Sequence, residues 1–493
     1  MIIAPGAAGL TSYEADVVVV GAGPAGLAVA SRLAARNRRV VVLESGGIDA
    51  VPDLDAGRGR VAGPVRYFDL AECRTRGLGG SAALWGGWCE PLDDLDFEWR
   101  KDMPETGWCV SRQELEPYYR EAYAFCGVPR RWSSRPWRLM GKPGIRDAPF
   151  SVRSFPVLGA RQLGHRHTGL FTGTGADLIL GATATRLMVT GDSSAVDHLT
   201  ASTRAGEIVV SGHSFVLATG AIETARLLLA SASPSWPDGL GNADDLVGRC
   251  FMEHPHVDAA RLSGDPEVLD LDFFSERVAG TTLDGEPMGA AGALVLGDDV
   301  CRAERIGRVQ LFIEPTGQHL DRPLFGRQGQ GRRPRSAPNG PRAAEDLALI
   351  AVTEQVPNRA SRVMLSDSTD RHGVPLPIVH WKLADVDHRT VVVGVEAVRD
   401  LLRAAGATRI RRRVRRGVWP ADTLGGPHHI GTARMALSPA DGVVDADCRV
   451  HGVANLFVAG SAVFPTSGYA PPTLTIVALA LRLADYLQPE GSR

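Results

Sequence analysis

The sequence predicts a two-lobed α/β protein whose first lobe is a Rossmann-like dinucleotide-binding domain, and three observations carry that prediction. A short apolar run, DVVVV at 16–20, leads directly into GAGPAG. Strand-like patterns return at 178–188, at 207–220 and in NLFVAGS near the C-terminus. The chain has 493 residues, enough for more than one domain at roughly 150 residues each.

The N-terminal unit reads as strand, turn, helix, strand. Leu27, Ala30, Leu33 and Ala34 share one helical face, and Val40 to Leu43 make a second buried strand. Gly21, Gly23 and Gly26 form GxGxxG between strand and helix, with Pro24 and Ala25 at the helix start and Glu44, then Ser45, closing the second strand. Glycines there permit a tight turn and let backbone N–H groups approach a pyrophosphate at the positive helix end, while the acidic residue can accept from a ribose hydroxyl. The turn alone does not separate NAD from FAD. Only one such fingerprint occurs, which disfavours a second Rossmann domain that docks NADPH beside a bound flavin; the other redox partner is then a substrate or dioxygen.

Composition narrows the partners. Apolar residues make up 44%, charged residues 22%, and the formal net charge is -2, which gives no reason to expect nucleic acid or an anionic membrane. The basic run RIRRRVRR at 409–416 has no interleaved aromatics and reads as a solvated face. Seven cysteines without a CxxC pair argue against a zinc ribbon, an iron-sulfur cluster or a redox dithiol, and no metal site is expected. The N-terminus has no basic segment before an apolar run, and the C-terminal LTIVALALRLADYL is interrupted by Arg482 and Asp485. A soluble cytoplasmic protein is the simplest reading. Ser111 with Glu114 forms a capping box before ELEPYYREAYAFCG, and residues 316–345 are too polar to pack, so they are expected to be a mobile surface loop.

Several further segments, RTRGLGGSAALWGGWCEPL (74–92), VLATGAIETARLLLAS (216–231), LVGRCFMEHPH (246–256), EQVPNRASRVML (354–365) and residues 425–487, occur in a shared order. In them the chain resembles the glucose-methanol-choline (GMC) family of FAD-dependent alcohol oxidoreductases, most closely the bacterial, sugar-oxidising and aminoglycoside-tailoring members. The resemblance implies FAD as cofactor. Gly80, Ser81 and Ala82, with Trp85 beside them, supply small residues where a flat ring can lie against the main chain. Leu84 stands where pyranose 2-oxidases carry the histidine that bonds to the flavin, so attachment through this position is excluded and the FAD is expected to be non-covalent. Thr219, Gly220 and Glu223 are expected at the adenosine half, Ala184 near the adenine, and Gly460 and Ser461 near the ribityl chain. Ala470, Pro472 and Thr473 open a helix whose positive end favours negative charge on a reduced flavin.

Alcohol oxidation needs a base for the hydroxyl proton and an acceptor for the carbinol hydride. The resemblance puts the base three residues before the glycine of a Gly-Thr pair, which is His428 before Gly431 and Thr432; a histidine is neutral before the reaction and protonated after it. His429 is its neighbour, and their side chains diverge if the segment is extended. The family's second catalytic position, commonly His or Asn, is filled by Pro471, which has no side-chain donor or acceptor. His429, Tyr469 or a residue of the substrate domain would then have to complete the clamp on the substrate oxygen. Glu253, His254 and His256 of EHPH either touch substrate or tie loops together. The expected activity is oxidation of a sugar, aminosugar or cyclitol hydroxyl, with dioxygen or another acceptor taking the electrons. The acidic run at 264–276 could meet a cationic substrate or form a solvated loop. A family member that keeps FAD as a lyase without net redox is the alternative, and an FAD-binding structural subunit is a third. The expected domains are 14–95, 175–255 and 425–493 for FAD, and 96–174 and 256–424, an antiparallel sheet with helices, for substrate.

Overall fold

The computed structural model describes residues 1–488 except 5–8, 55–57, 133–135, 143–144, 146–148, 160–161, 174, 276, 317–345 and 416. From residue 317 on, the expected surface loop lies outside the described residues.

The βαβ unit forms where the sequence places it. Ser12–Val20 and Val40–Glu44 pair in parallel, Val17 opposite Val40 and Val20 opposite Leu43, and helix Pro24–Ala34 connects them. Their valines are almost wholly buried, as befits a parallel sheet covered on both faces. The complete sheet runs Ile2–Ile3, Ala176–Leu180, Val40–Glu44, Ser12–Val20, Gly206–Leu217, Val196–Thr203, Thr183–Val189, with Leu456–Val458 also on Gly206–Leu217. The pairs from Ile2–Ile3 to Gly206–Leu217, and that with Leu456–Val458, are parallel; the last two form an antiparallel meander. Register brings Leu43, Val20, Leu217 and Val458 to one edge, so Gly21, Glu44, Thr219 and Gly460 all emerge beyond the carboxyl ends of parallel strands. Crevices at that edge are where doubly wound sheets bind ligands.

A second sheet is antiparallel throughout: Arg277–Thr281, Pro287–Leu296, Val309–Pro315, Asp346–Thr353, His256–Ser263, Arg409–Arg412, with Phe150–Val157 on Pro287–Leu296. Helix Asp385–Ala405 packs on it through Val391, Val395, Val398, Leu402 and Ala405, a spacing of three to four that builds one apolar stripe. The basic run supplies the edge strand Arg409–Arg412, with Arg409, Arg411 and Arg412 exposed and Val414 buried. Edge strands rich in charge resist pairing with other chains.

Two hydrophobic cores correspond to the two sheets. One gathers Val17 to Val20, Leu27, Phe215, Ile430, Phe464 and Leu474; the other gathers Trp137, Phe155, Val257, Leu294, Leu349 and Val395. Helix Arg112–Cys126 begins with the expected capping box, in which Glu114 N–H donates to Ser111 Oγ (3.1 Å) and Ser111 N–H to Glu114 Oε2 (2.7 Å). The acidic run contains the short helix Leu271–Phe274, whose Phe273 and Phe274 are buried, while Asp270 pairs with Arg138. All seven cysteines are free thiols. No helix of the described residues is long and apolar enough to cross a membrane, and no cluster of metal-ligating side chains occurs among them.

Candidate active site

The glycine turn has the steric signature of a nucleotide cradle. Gly21 has φ +102°, and a Cβ there would lie 2.6 Å from Ala218 O; a Cβ on Gly26 would lie 1.9 Å from Gly21 O. These two glycines let the helix close onto the sheet. Gly23 differs: a Cβ there meets nothing within 4 Å, and as N-cap of Pro24–Ala34 it starts a helix with neither a side-chain cap nor an acidic residue in its first turn. Uncapped N–H groups facing open space suit a pyrophosphate. Gly80 joins the same place, since its Cβ would come 3.1 Å from Gly23 Cα, and Gly460, at φ +121°, faces Ala25. The residues present therefore fit a dinucleotide.

Glu44 is almost buried, and its carboxylate accepts from Ala22 N–H (3.0 Å), Gly46 N–H (2.8 Å), Gly77 N–H (2.9 Å) and Ser45 Oγ (3.3 Å). Burial raises its pKa against the three backbone donors and the charge of Arg76. It thus ties the glycine turn to residues 76–77, and Ala182 N–H donates to its carbonyl (3.0 Å), which brings Ala184 and the start of strand Thr183–Val189 alongside. Glu223 is committed to Arg74 and Arg226, and the two guanidiniums, acting against burial, hold its carboxyl down at about 2. Thr219 Oγ1 bonds Thr224 Oγ1 (2.9 Å) ahead of Gly220 at φ +76°. Ser81 Oγ accepts from Thr75 N–H (3.2 Å); Ala82 and Trp85 are buried, and Trp85 Nε1 finds no partner among the described residues. Leu84 ends the short helix Gly80–Leu84. Ala470 and Pro471 are buried, Pro472 is the N-cap, and Thr473 starts helix Thr473–Tyr486.

The histidine pair hangs between the two halves. Ser461 Oγ donates to His429 O (2.7 Å), Gly431 N–H to Ser461 O (3.0 Å) and Thr432 Oγ1 to Ala221 O (2.6 Å), which sews the segment to the dinucleotide edge. On its other side Ile430 pairs with Met252 through both backbone bonds. Glu253, fully buried, receives Gly426 N–H (3.0 Å) and His428 N–H (2.8 Å) on Oε2 and the Tyr67 hydroxyl on Oε1. Burial lifts its pKa to about 7 despite these donors. His254, also fully buried, places Nδ1 2.7 Å from His428 Nδ1. His428 and His429 remain half-buried, although Nε2 of His429 is itself buried. Burial first, then His254, His256 and His429, drives the His428 pKa well below its ordinary value; burial and then Arg74 lower that of His429 to about 3. Both rings are neutral near pH 7, as a proton acceptor must be.

The Tyr469 ring is fully buried, its hydroxyl on Glu90 Oε1 (3.2 Å) and Asp93 Oδ2 (3.0 Å), with Arg308 5.1 Å above the ring. His429 stands against Phe251 and Tyr67, with Nε2 3.8 Å from Glu253 Oε1. Sequence reasoning missed Tyr67, half-buried beside His429, and Gln355, whose Oε1 accepts from Glu253 N–H (2.9 Å) and Trp381 Nε1 (2.8 Å). Tyr67 lies in VRYFDL, which carries no motif; Gln355 lies in a segment already singled out, EQVPNRASRVML, but nothing there set it apart from its polar neighbours Glu354 and Asn358.

A one-fingerprint parallel sheet joined to an antiparallel sheet, with a neutral histidine at the seam, defines an FAD-dependent alcohol oxidoreductase. Residues 16–235 match the family profile described as FAD dependent oxidoreductase, and residues 357–480 that of GMC oxidoreductase. The C-terminal segment thus matches the GMC oxidoreductase family and the N-terminal one an FAD-dependent oxidoreductase, and the cofactor is FAD. It is 26% identical to the fructose dehydrogenase large subunit of Gluconobacter japonicus over 83% of this chain and 80% of that one. It is 28% identical to paromamine 6'-oxidase of Streptomyces fradiae, covering 95% and 90%. The solved structure of formate oxidase from Aspergillus oryzae RIB40 superposes with a TM-score of 0.61 at 19% identity, over 98% and 99% of the two chains, and shares the two-domain fold.

Proposed function

We propose that this protein oxidises a hydroxyl of a sugar, aminosugar or cyclitol to the carbonyl, with His428 as the base. The observation that carries the reading is the His428 ring itself: it keeps some exposure, is held neutral by its surroundings and is bonded on one nitrogen to His254. Bound FAD supplies the two-electron acceptor that takes the carbinol hydride at N5. Backbone amides at Gly21 to Gly26, with Gly80 and Gly460, hold the cofactor; Glu253 holds the base-bearing segment; and His428 receives the hydroxyl proton. Fructose dehydrogenase, paromamine 6'-oxidase and C-glycoside 3-oxidase are named for sugar-like substrates, which supports the substrate class. The second core, with Val257, Leu294, Leu349 and Val395, supports assigning 256–424 largely to the substrate and 14–95, 175–255 and 425–493 to the cofactor, whereas Leu115, Tyr119, Cys126 and Leu163 of the expected substrate segment 96–174 pack in the first core. Pro471 is buried and offers no polar group, so His429 or Tyr67 would complete the grip on the substrate oxygen.

The test is an anaerobic screen of sugars, aminosugars and cyclitols against the purified yellow protein. Bleaching of the flavin absorbance by one of these alcohols is expected. Unchanged absorbance across the screen, with aldehyde or ketone release from an adduct instead, would mark a lyase.

A further inference from the structure

We propose that His254 is a positioning residue that locks His428 in the tautomer with its proton on Nδ1 and its lone pair on Nε2. This rests on the reading of His428 as the base.

His254 Nε2 lies 3.2 Å from the carbonyl oxygen of Ser467. A carbonyl only accepts, so that nitrogen must carry the N–H. The ring is fully buried, and burial lowers its pKa to about 4, so at neutral pH it holds one ring proton. Its Nδ1 is therefore an acceptor. Across the 2.7 Å contact, His428 must donate from Nδ1, because two bare lone pairs at that distance repel. The proton count then leaves Nε2 of His428 unprotonated. A free neutral imidazole prefers the opposite form, with its proton on Nε2, so the partner reverses an intrinsic bias. The same rule holds wherever one ring nitrogen of a catalytic histidine is set by the bond the other makes.

The frame around the pair is rigid. Ser467 Oγ accepts from Gln355 N–H (3.1 Å), Gln355 Oε1 accepts from Glu253 N–H, and Glu253 Oε2 accepts from His428 N–H. The rings meet edge to face, at 80° with centroids 4.9 Å apart. Other titratable groups near the pair are Glu253, which accepts from His428 N–H, Glu354 on the His254 side, His256 at 6.5 Å from His428 between ring centroids, and His429. When the substrate hydroxyl gives its proton to Nε2, the Nδ1–H bond to His254 becomes charge-assisted and so strengthens as the base charges. No proton needs to leave His428 for this to help.

The test uses holoenzyme and apoprotein labelled with 15N-histidine, with His428→Ala to assign the His428 signals. At pH 7.5 the wild type is expected to show His428 protonated on Nδ1 alone. His254→Phe should move the ring toward the Nε2–H form and slow anaerobic flavin reduction by at least about tenfold, with substrate affinity little changed, because an incorrectly set tautomer costs rate rather than binding. His254→Asn, which keeps an acceptor at the δ position, should restore both the Nδ1–H signal and most of the rate. An Nε2–H tautomer in the wild type overturns the inference even if His254→Phe fails to fold. So does His254→Phe with tautomer and rate unchanged. Failure of the base reading is separate: there His428→Ala keeps its reduction rate whatever the tautomer.

Discussion

His428 is surrounded by groups that keep it from holding a second proton before the reaction. Burial, His254, His256 and His429 all oppose its charging, and Glu253, the nearby acid, is itself raised to about 7 by burial. A base whose pKa is depressed stays competent as pH falls, losing function only when solution protons finally outcompete the environment. The acid limb of the flavin-reduction rate is therefore expected below pH 6.5, measured by anaerobic stopped flow at several pH values. A midpoint at or above 6.5 would mean an unperturbed imidazole. The identity of this residue was legible from GGPHHIGTARM, but its partner was not. His254 lies 174 positions away, and nothing in EHPH says which of Glu253, His254 or His256 meets the His428 ring nitrogen. Tyr469 shows the converse: beside the helix start it read as a substrate contact, yet its hydroxyl is spent on Glu90 and Asp93.

The glycine turn reports at the level of an element, because its glycines do different work. Gly26→Ala drives a methyl into Gly21 O, against backbone that cannot yield, so the βαβ unit should fail to close and the protein should be recovered misfolded or aggregated. Gly23→Ala meets open space, so it should fold with an unchanged far-UV circular dichroism spectrum yet purify with little flavin. Yellow, fully loaded Gly23→Ala would remove the pyrophosphate from that turn. Strand, turn and helix were legible here because local pattern and tertiary role agree: apolar period, glycine spacing and acidic residue all fall within 29 residues, from Asp16 to Glu44. The capping box at Ser111 was legible for the same reason. The ion cluster that occupies Glu223 was not, since Arg74 arrives from a loop 149 positions distant.

Across the whole molecule, buried acids and buried histidines pull stability in opposite directions with pH. Burial raises Glu90 to about 8 and Asp96, Glu253 and Asp387 to about 7. Between the unfolded and folded pKa values the native state holds protons that the unfolded chain has released, so this contribution is present at low pH and lost as pH rises through 7 to 8. His254 and His167, lowered to about 4, and His429, lowered to about 3, act conversely: the unfolded chain gains protons below 6.5, and stability falls as pH falls. The two effects oppose one another below 6.5; above it the acids act, joined toward pH 8.5 by buried thiols such as Cys250, raised to about 11, whose effect has the same sign. Tm of the holoenzyme should therefore decline from pH 6.5 to 8.5, and Glu90→Gln, which removes the acid raised furthest, should flatten that decline. A Tm that rises over this range would contradict the assignment of neutral buried carboxyls. The two-lobed plan, with an antiparallel sheet and helices in the second lobe, was legible from the order of motifs, whereas the bounds and pairing of that sheet's strands were not, because they carry no signature beyond apolar content.

The central claim is that one imidazole, His428, accepts the substrate proton. The direct measurement is the anaerobic flavin-reduction rate of His428→Ala, loaded with FAD, against the best alcohol from the screen. A fall of about a hundredfold or more is predicted, the scale on which a positioned general base acts. Retention of more than about a tenth of the wild-type rate, with cofactor content intact, would contradict it.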